Sequence, residues 1–319
     1  MRKSENIKRA GLALLAMQRH SWEQGVALDA FIAQGNNEIA ILLAKEAAYR
    51  KVADGRVADI GGTNASTDPC SLGEGLLYAY NKTGDKKLKE AYDGLLLWAT
   101  QKAPRNGEGI IYHFTDKKVF WVDSMYMLPP FLAVAGLYDQ SILQIRGYVE
   151  KLFDSDKKLM YHQWNDETKS FDRKLFWGTG NGWTVAGLAR VIDLLPESHK
   201  SEGEELINIA TSIIEAISNY VRDDGLTHDI LDDDSTFVET CLPQMLSYTI
   251  YRGIRSGWLN NKWKELAGHC RYGVNKKIDK YGLVQDACGA PHFISPGVSP
   301  ESQGFYLLME AEAEKMVNS

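Results

Sequence analysis

Apolar residues recur along most of the chain at spacings of three and four, the period that places them on one face of an α-helix. Val185, Leu188, Ala189, Ile192 and Leu195 form one such stripe, and Val238, Leu242, Met245 and Tyr248 another. Strand-like alternation is short and rare. The pattern predicts about twelve helices, near residues 4–18, 22–34, 37–53, 71–82, 86–100, 121–136, 140–156, 180–195, 202–221, 236–252, 258–275 and 300–317. Inside 121–136, Pro129 lacks an N–H and crowds the carbonyl of Met125, so a kink or a late start is expected there. Thr236 and Glu239 have the spacing of a capping box, which assigns Glu239 to its own helix. Asp232-Asp233-Asp234 suits the positive end of that helix and lacks the spacing of a calcium loop. Ser299-Pro300 is a helix-start signal.

A short segment returns between helix pairs. It reads Gly55-Arg56-Val57-Ala58-Asp59, Gly109-Ile110-Ile111-Tyr112-His113, Lys158-Leu159-Met160-Tyr161-His162, Gly225-Leu226-Thr227-His228-Asp229 and Gly282-Leu283-Val284-Gln285-Asp286. Each copy is a turn residue, two or three mostly apolar residues and a polar side chain. The copies are separated by the length of one helical hairpin plus its loops. Such an array either stays open as a solenoid or closes into a ring. Small and apolar runs such as Ala133-Val134-Ala135-Gly136 suit inner helices of a ring. The expected fold is therefore all-α, an (α/α)6 toroid of six helical hairpins. No linker-like stretch divides it, so residues 1–319 are expected to form a single domain.

Composition narrows the function classes. The 319 residues are 44% hydrophobic and 24% charged, which excludes disorder. Lys and Arg number 36 against 42 Asp and Glu, with no basic block, so no nucleic-acid partner is expected. No apolar run is long enough to span a bilayer, and no membrane role is expected. Cys70, Cys241, Cys270 and Cys288 form no C-x-x-C pair, against a structural zinc. The first apolar run, Ala10 to Met17, leads into Gln18-Arg19-His20 without a small-x-small cleavage site. It reads as an amphipathic helix, and the protein as cytoplasmic.

Function sits on loops held by a rigid scaffold, and here those loops hold Trp, His and acids. His113, His162, His228 and His292 fall in or just after the repeated segments, and Trp22, Trp121, Trp164, Trp177 and Trp183 near loop-to-helix junctions. Aromatic faces beside carboxylates suit a sugar, although buried Trp residues also simply fill cores. Asp123 stands among bulky apolar residues in Phe120-Trp121-Val122-Asp123-Ser124-Met125-Tyr126-Met127. It reads either as a helix N-cap or as a desolvated carboxyl with a raised pKa, fit to act as a general acid. Asp68 precedes Pro69 and reads as turn chemistry or as a second acid. Glu23 reads as a third acid or as a first-turn glutamate favoured by the helix dipole. Gly178-Thr179-Gly180-Asn181-Gly182 opens a helix but lacks the P-loop pattern. It suits close backbone approach to another anion, such as a uronate carboxylate.

These residues resemble glycoside hydrolase family 105, the unsaturated rhamnogalacturonyl hydrolases, and more distantly family 88. The resemblance is carried by Trp121-Val122-Asp123-Ser124-Met125-Tyr126-Met127 with Pro130-Phe131-Leu132-Ala133, and by Trp177-Gly178-Thr179-Gly180-Asn181-Gly182-Trp183. Glu23-Gln24-Gly25-Val26, Asp68 and Tyr161-His162 add to it. It implies an (α/α)6 toroid acting on small unsaturated oligosaccharides left by polysaccharide lyases, with no metal and no cofactor. The enzyme would hydrate the C4=C5 bond of a terminal unsaturated uronic acid. Asp123 would be the acid and base, and Asp68 would hold a hydroxyl or the water. Trp22, Glu23, His113, Trp121, His162, Trp177, Asn181, Trp183 and His292 are the expected substrate-binding residues.

One position departs from the family pattern. Thr179 stands where members often place an Arg for the uronate carboxylate, so Lys118, Arg173, Lys174, His292 or the Gly180–Gly182 amides would replace it. An inverting glycosidase using Asp123 with Asp68 or Glu23 is one competing reading. A sugar epimerase using His162, His228 and His292 is another, and a non-catalytic helical scaffold a third.

Overall fold

The computed structural model describes residues 2–59, 63–289 and 293–318. Six helical layers form an inner ring: α2 (Ser21–Ala33), α4 (Gly73–Thr83), the broken pair α6 (Ser124–Met127) and α7 (Pro129–Val134), α9 (Gly178–Ile192), α11 (Cys241–Arg255) and α13 (Pro300–Asn318). Each packs on the next, and α13 packs on α2, which closes the ring. Outside lie α1 (Arg2–Met17), α3 (Asn37–Tyr49), α5 (Lys86–Leu97), α8 (Tyr138–Leu152), α10 (Lys200–Ser218) and α12 (Lys264–Asn275), each against an inner partner. This is the toroid of six hairpins that the repeats predict.

Sequence explains which helices are inside. In α10 the buried positions Leu206, Ala210, Ile213, Ile214 and Ile217 form one stripe, the signature of a half-covered helix. Helix α9 is buried all round from Gly178 to Val191. Inner helices approach closely where one presents glycine. A Cβ at Gly182 would lie 2.5 Å from the sulfur of Met245 on α11, and one at Gly180 would lie 2.5 Å from a Val122 methyl.

Several predicted boundaries move: the helix expected from 258 starts at Lys264, and those expected to reach 53 and 156 end at Tyr49 and Leu152. The helix expected over 121–136 breaks at Leu128, because Pro129 has no N–H to continue the ladder and instead starts α7. Its first residue, Trp121, belongs to strand β1 (Val119–Trp121). The helix expected from 236 starts at Cys241. Strands of two to four residues are too short to show a period of two. They are β2 (Phe153–Asp154), β3 (Leu159–Met160), β4 (Gln163–Asn165), β5 (Ser170–Arg173), β6 (Thr227–His228) and β7 (Val238–Glu239). Strands β1, β4 and β5 form an antiparallel sheet that pairs Trp121 with Gln163 and Gln163 with Arg173. Glu239 does serve α11, but from β7. Its carboxylate accepts the N–H groups of Cys241 and Leu242, while the Thr236 hydroxyl donates to the Asp233 carbonyl.

Connections from an inner to an outer helix are short, and those from an outer to an inner helix are long, except for the three residues that join α1 to α2. The long ones carry the repeated segments, so these gather on one face, above the N-termini of the inner helices. The turn residues Gly55, Gly109, Lys158, Gly225 and Gly282 all adopt positive φ, between 57° and 108°. This left-handed turn is why glycine recurs there. Backbone bonds then tie neighbouring loops around the rim: Ser66 N to His113 O, Val122 N to His162 O, Gly178 N to Asp229 O and Thr240 N to Asp286 O.

Inside the ring Arg190 of α9 donates two bonds to the Asp29 carboxylate on α2, at 2.6 and 3.1 Å, and one to the Tyr126 hydroxyl at 2.9 Å. It also pairs with Glu74 of α4. Removing one partner of a buried pair strands the other charge. Replacing Arg190 with Met is therefore expected to lower the unfolding free energy by about 3–5 kcal/mol, read from denaturant titration. An unchanged midpoint would show that this cross-ring pair does not hold the inner helices.

Candidate active site

The rim loops and the N-termini of the inner helices enclose a cavity of about 250 Å³. Asp68 enters from a 3-10 turn (Asp68–Leu72), and Asp123 from the junction of β1 and α6. His113 and His162 come from the second and third repeated segments. Trp22 belongs to the first turn of α2, Trp121 to β1, Trp177 to the residue before α9 and Trp183 to α9 itself.

Asp123 stands at the N-cap position but makes no capping bond, and its Oδ1 is buried without a hydrogen-bond partner. The N-cap reading therefore fails. Asp68 is 4% exposed, and its Oδ1 is also unpartnered. Burial pushes its pKa up to about 6, with His113 opposing and Asp123 adding to the rise. Asp68, His113 and Asp123 each present an atom within 4.8 Å of the others. His113 Nδ1 lies 3.0 Å from the Ser124 hydroxyl, 3.2 Å from that of Thr67 and 4.0 Å from Asp68 Oδ1. These three groups could offer ligands to a cation, but the hydroxyls already engage the imidazole nitrogen.

The aromatic walls are paired. His113 stacks on Trp121 at 4.6 Å between ring centres, and His162 on Trp177 at 4.5 Å. Burial lowers the pKa of His162 to about 3, with Arg173 also lowering it, so its ring is neutral. Trp177 donates its indole N–H to Asp229. Trp183 is wedged against Tyr126 and Phe305 below.

The cavity thus gathers Trp22, Asp68, His113, Trp121, Asp123, His162, Trp177 and Trp183. Asn181 is not among the lining residues. It is wholly buried, accepts from Met160 N and donates to the Met160 and Trp177 carbonyls, so it fastens α9 to β3. Glu23 also stands back, accepting the N–H groups of Arg19 and His20 at the start of α2. His292 lies outside the described residues. His228 lies away from the cavity, held by the Thr236 carbonyl and Arg222. Of the candidates to replace the guanidinium absent at Thr179, Arg173 alone among the described residues lines the cavity; Lys118 and Lys174 are exposed. Thr179 itself is buried with an unpartnered hydroxyl.

Sequence reasoning missed Glu301, Gln163, Phe114, Met127 and Phe293 on the cavity wall. The helix-start signal Ser299-Pro300 hid Glu301, because an acid in a first turn needs no further explanation. Gln163 directly follows a repeated segment, which was the available signal.

The fold is a toroid of six hairpins with one pocketed face, and the family match shows the class of protein. The chain belongs to glycosyl hydrolase family 88, whose model matches residues 1–316. It is 28% identical over 238 residues to the unsaturated rhamnogalacturonyl hydrolase YesR of Bacillus subtilis (strain 168), covering 68% of this chain and 66% of that one. It is 28% identical over 198 residues to an unsaturated 3S-rhamnoglycuronyl hydrolase of Formosa agariphila, covering 54% and 51%. The matched part thus spans just under two-thirds and about half of these relatives. A crystal structure of a possible member of the GH105 family from Salmonella enterica serovar Paratyphi A superposes with a TM-score of 0.86 at 18% identity, covering 99% of this chain and 93% of that one. Among the described residues no helix is long and apolar enough to cross a membrane.

The Asp68 pKa has a consequence for stability. An unfolded Asp titrates near ~3.9, so the folded state gains from the protonated group below that pH and loses the gain as pH rises through about 6. Asp68→Asn is expected to be more stable than the native chain at pH 7.5, by about 1–3 kcal/mol. The difference should close by pH 4. Thermal unfolding at the two pH values checks this, and a difference independent of pH would contradict it.

Proposed function

We propose that the protein releases a 4,5-unsaturated uronic acid from the non-reducing end of a lyase-generated oligosaccharide by hydrating its C4=C5 bond. The observation that carries this reading is the Asp123 carboxyl, which caps nothing and is open to the cavity beside Asp68 and His113. The names of the two curated relatives, both hydrolases of unsaturated uronyl groups, support the substrate class.

Asp123 gives its proton to C4. The positive centre forms at C5, where the ring oxygen shares it. Water adds to C5 and returns a proton to Asp123. The hemiketal then opens by breaking the bond from C5 to the ring oxygen, C1 becomes a hemiacetal, and its collapse frees the rest of the oligosaccharide. Asp68 holds a ring hydroxyl or the water. Neutral His162, Trp121 and Trp177 exclude bulk water around the charge formed at C5. Arg173 takes the uronate carboxylate, since among the described residues it is the one Lys or Arg that lines the cavity and no carboxylate pairs with it. The cavity volume suits a terminal sugar rather than a polymer passing through.

The inverting alternative seats a water between carboxyls about 6.5–9.5 Å apart; Asp68 and Asp123 each bring an oxygen within 4.8 Å of the other, and Glu23 does not line the cavity. The epimerase reading loses His228 from its histidine set.

Ultraviolet absorbance of the conjugated double bond follows the reaction. The native chain is expected to consume it, and Asp123→Asn to slow the loss by about 10²–10⁴-fold. Arg173→Met is expected to raise KM about 10–100-fold on the uronide and to leave a carboxyl-methylated substrate unaffected. Release from saturated uronides with the unsaturated substrates left intact would overturn the proposal.

A further inference from the structure

The cavity holds a third carboxyl that the hydration chemistry does not use. Glu301 lies in the first turn of α13 and is 3% exposed. One oxygen, Oε1, accepts the indole N–H of Trp22 at 2.7 Å, and the other, Oε2, is buried without a hydrogen-bond partner. Trp22 is itself braced, its ring stacked on His20 at 4.4 Å and nearly parallel. Both Trp22 and Glu301 line the cavity. A buried acid oxygen left unpaired costs free energy unless a partner arrives, and Glu301 lines the substrate cavity.

We infer that Glu301 is a substrate-binding residue: its free oxygen, together with Asp68, holds hydroxyls of the sugar ring seated against Trp22. This rests on the cavity being a sugar site, as proposed above.

The surroundings of Glu301 favour its neutral form. Glu23 and His20 face it from the start of α2, Asp68 from the 3-10 turn and Cys241 from α11, while the Trp22 indole and the nearby Ser299 hydroxyl favour the charged form and are outweighed. No ion pair with Lys or Arg reaches it among the described residues. Burial first, and the Glu23 charge second, push its pKa up to about 7. A neutral Glu301 donates to a sugar oxygen and does not repel a uronate. Above neutrality it ionises, and its charge opposes the incoming anion.

The test compares the native chain with Glu301→Gln and Glu301→Ala on an unsaturated disaccharide between pH 6 and pH 9. For the native chain KM is expected to rise as pH passes about 7. The Gln variant keeps the Trp22 bond and a neutral hydrogen-bonding group, so its KM should stay near the native value at pH 6.5 and lose the alkaline rise. The Ala variant should raise KM about tenfold or more while kcat changes little. If Ala fails to fold, the pH profile of Gln decides alone. An unchanged alkaline rise in Gln, or an unchanged KM in both variants, would overturn the inference.

Tryptophan-fluorescence titration of the same disaccharide in an Asp123→Asn background separates this claim from the one it rests on. Binding that depends on Glu301, without any consumption of the double bond by the native chain, defeats the hydration reading alone. Turnover with binding indifferent to Glu301 defeats this inference alone.

Discussion

The last inner helix packs along the first, and the rest of the molecule depends on that joint. Gly304 of α13 leaves no room for a Cβ against Val26 of α2, the Gln34 amide of the α2 C-cap donates to the Leu307 carbonyl, and Trp22 donates to Glu301. With the ring closed, the inner helices run the same way and bring their N-termini to one face. The long connections must then lie side by side over that face. Partial positive charge at helix N-termini and a crowded rim of loops create the site before any catalytic residue is specified. Closure also buries much of α9 and α11, and buried polar groups of the inner helices bond to neighbouring helices and loops. Gln244 donates to Ser302, and Gln303 reaches the carbonyls of Ala10 and Gly282.

Desolvation is the common cause of the chemistry in the cavity. The same burial raises Asp68 to about 6 and Glu301 to about 7 and lowers His162, so near neutrality Glu301 still holds much of its proton, Asp68 has largely given its proton up, and the histidine holds no charge. The stacked His113–Trp121 and His162–Trp177 pairs supply this low-dielectric wall. Asp123 differs in being only half-buried. Holding several carboxyls in so small a space opposes folding at alkaline pH. Strain of this kind is typical of functional sites.

The helices were legible because their apolar stripes are long, and the ring was legible because its turns repeat. Four of the five repeat turns are glycine for a backbone reason, the positive φ that the turn requires. Lys158 accepts the same conformation without being glycine, and its copy was found from the following residues alone. The strands were not legible, since two to four residues carry no period. In the site, Asp123 and Asp68 could be read from unusual context, and Trp121 and Trp177 from their place at junctions. Asn181 misled because a polar residue in a glycine-rich helix start suits a ligand as well as it suits β3. Glu301 was invisible because helix-start grammar already accounts for an acid there. Arg173 could be named only as one of several cations, since its place depends on β4–β5 pairing that the sequence does not announce.

Isotope placement tests the central claim, that Asp123 delivers a solvent-derived proton to C4 and water adds at C5. The reaction would be run in deuterated water and, separately, in ¹⁸O-labelled water, with the released sugar followed by NMR and mass spectrometry from the first turnover. The account predicts deuterium at C4 and labelled oxygen at C5. Label entering at the anomeric carbon, with C4 carrying no deuterium, would contradict it and return the chain to ordinary glycosidic displacement.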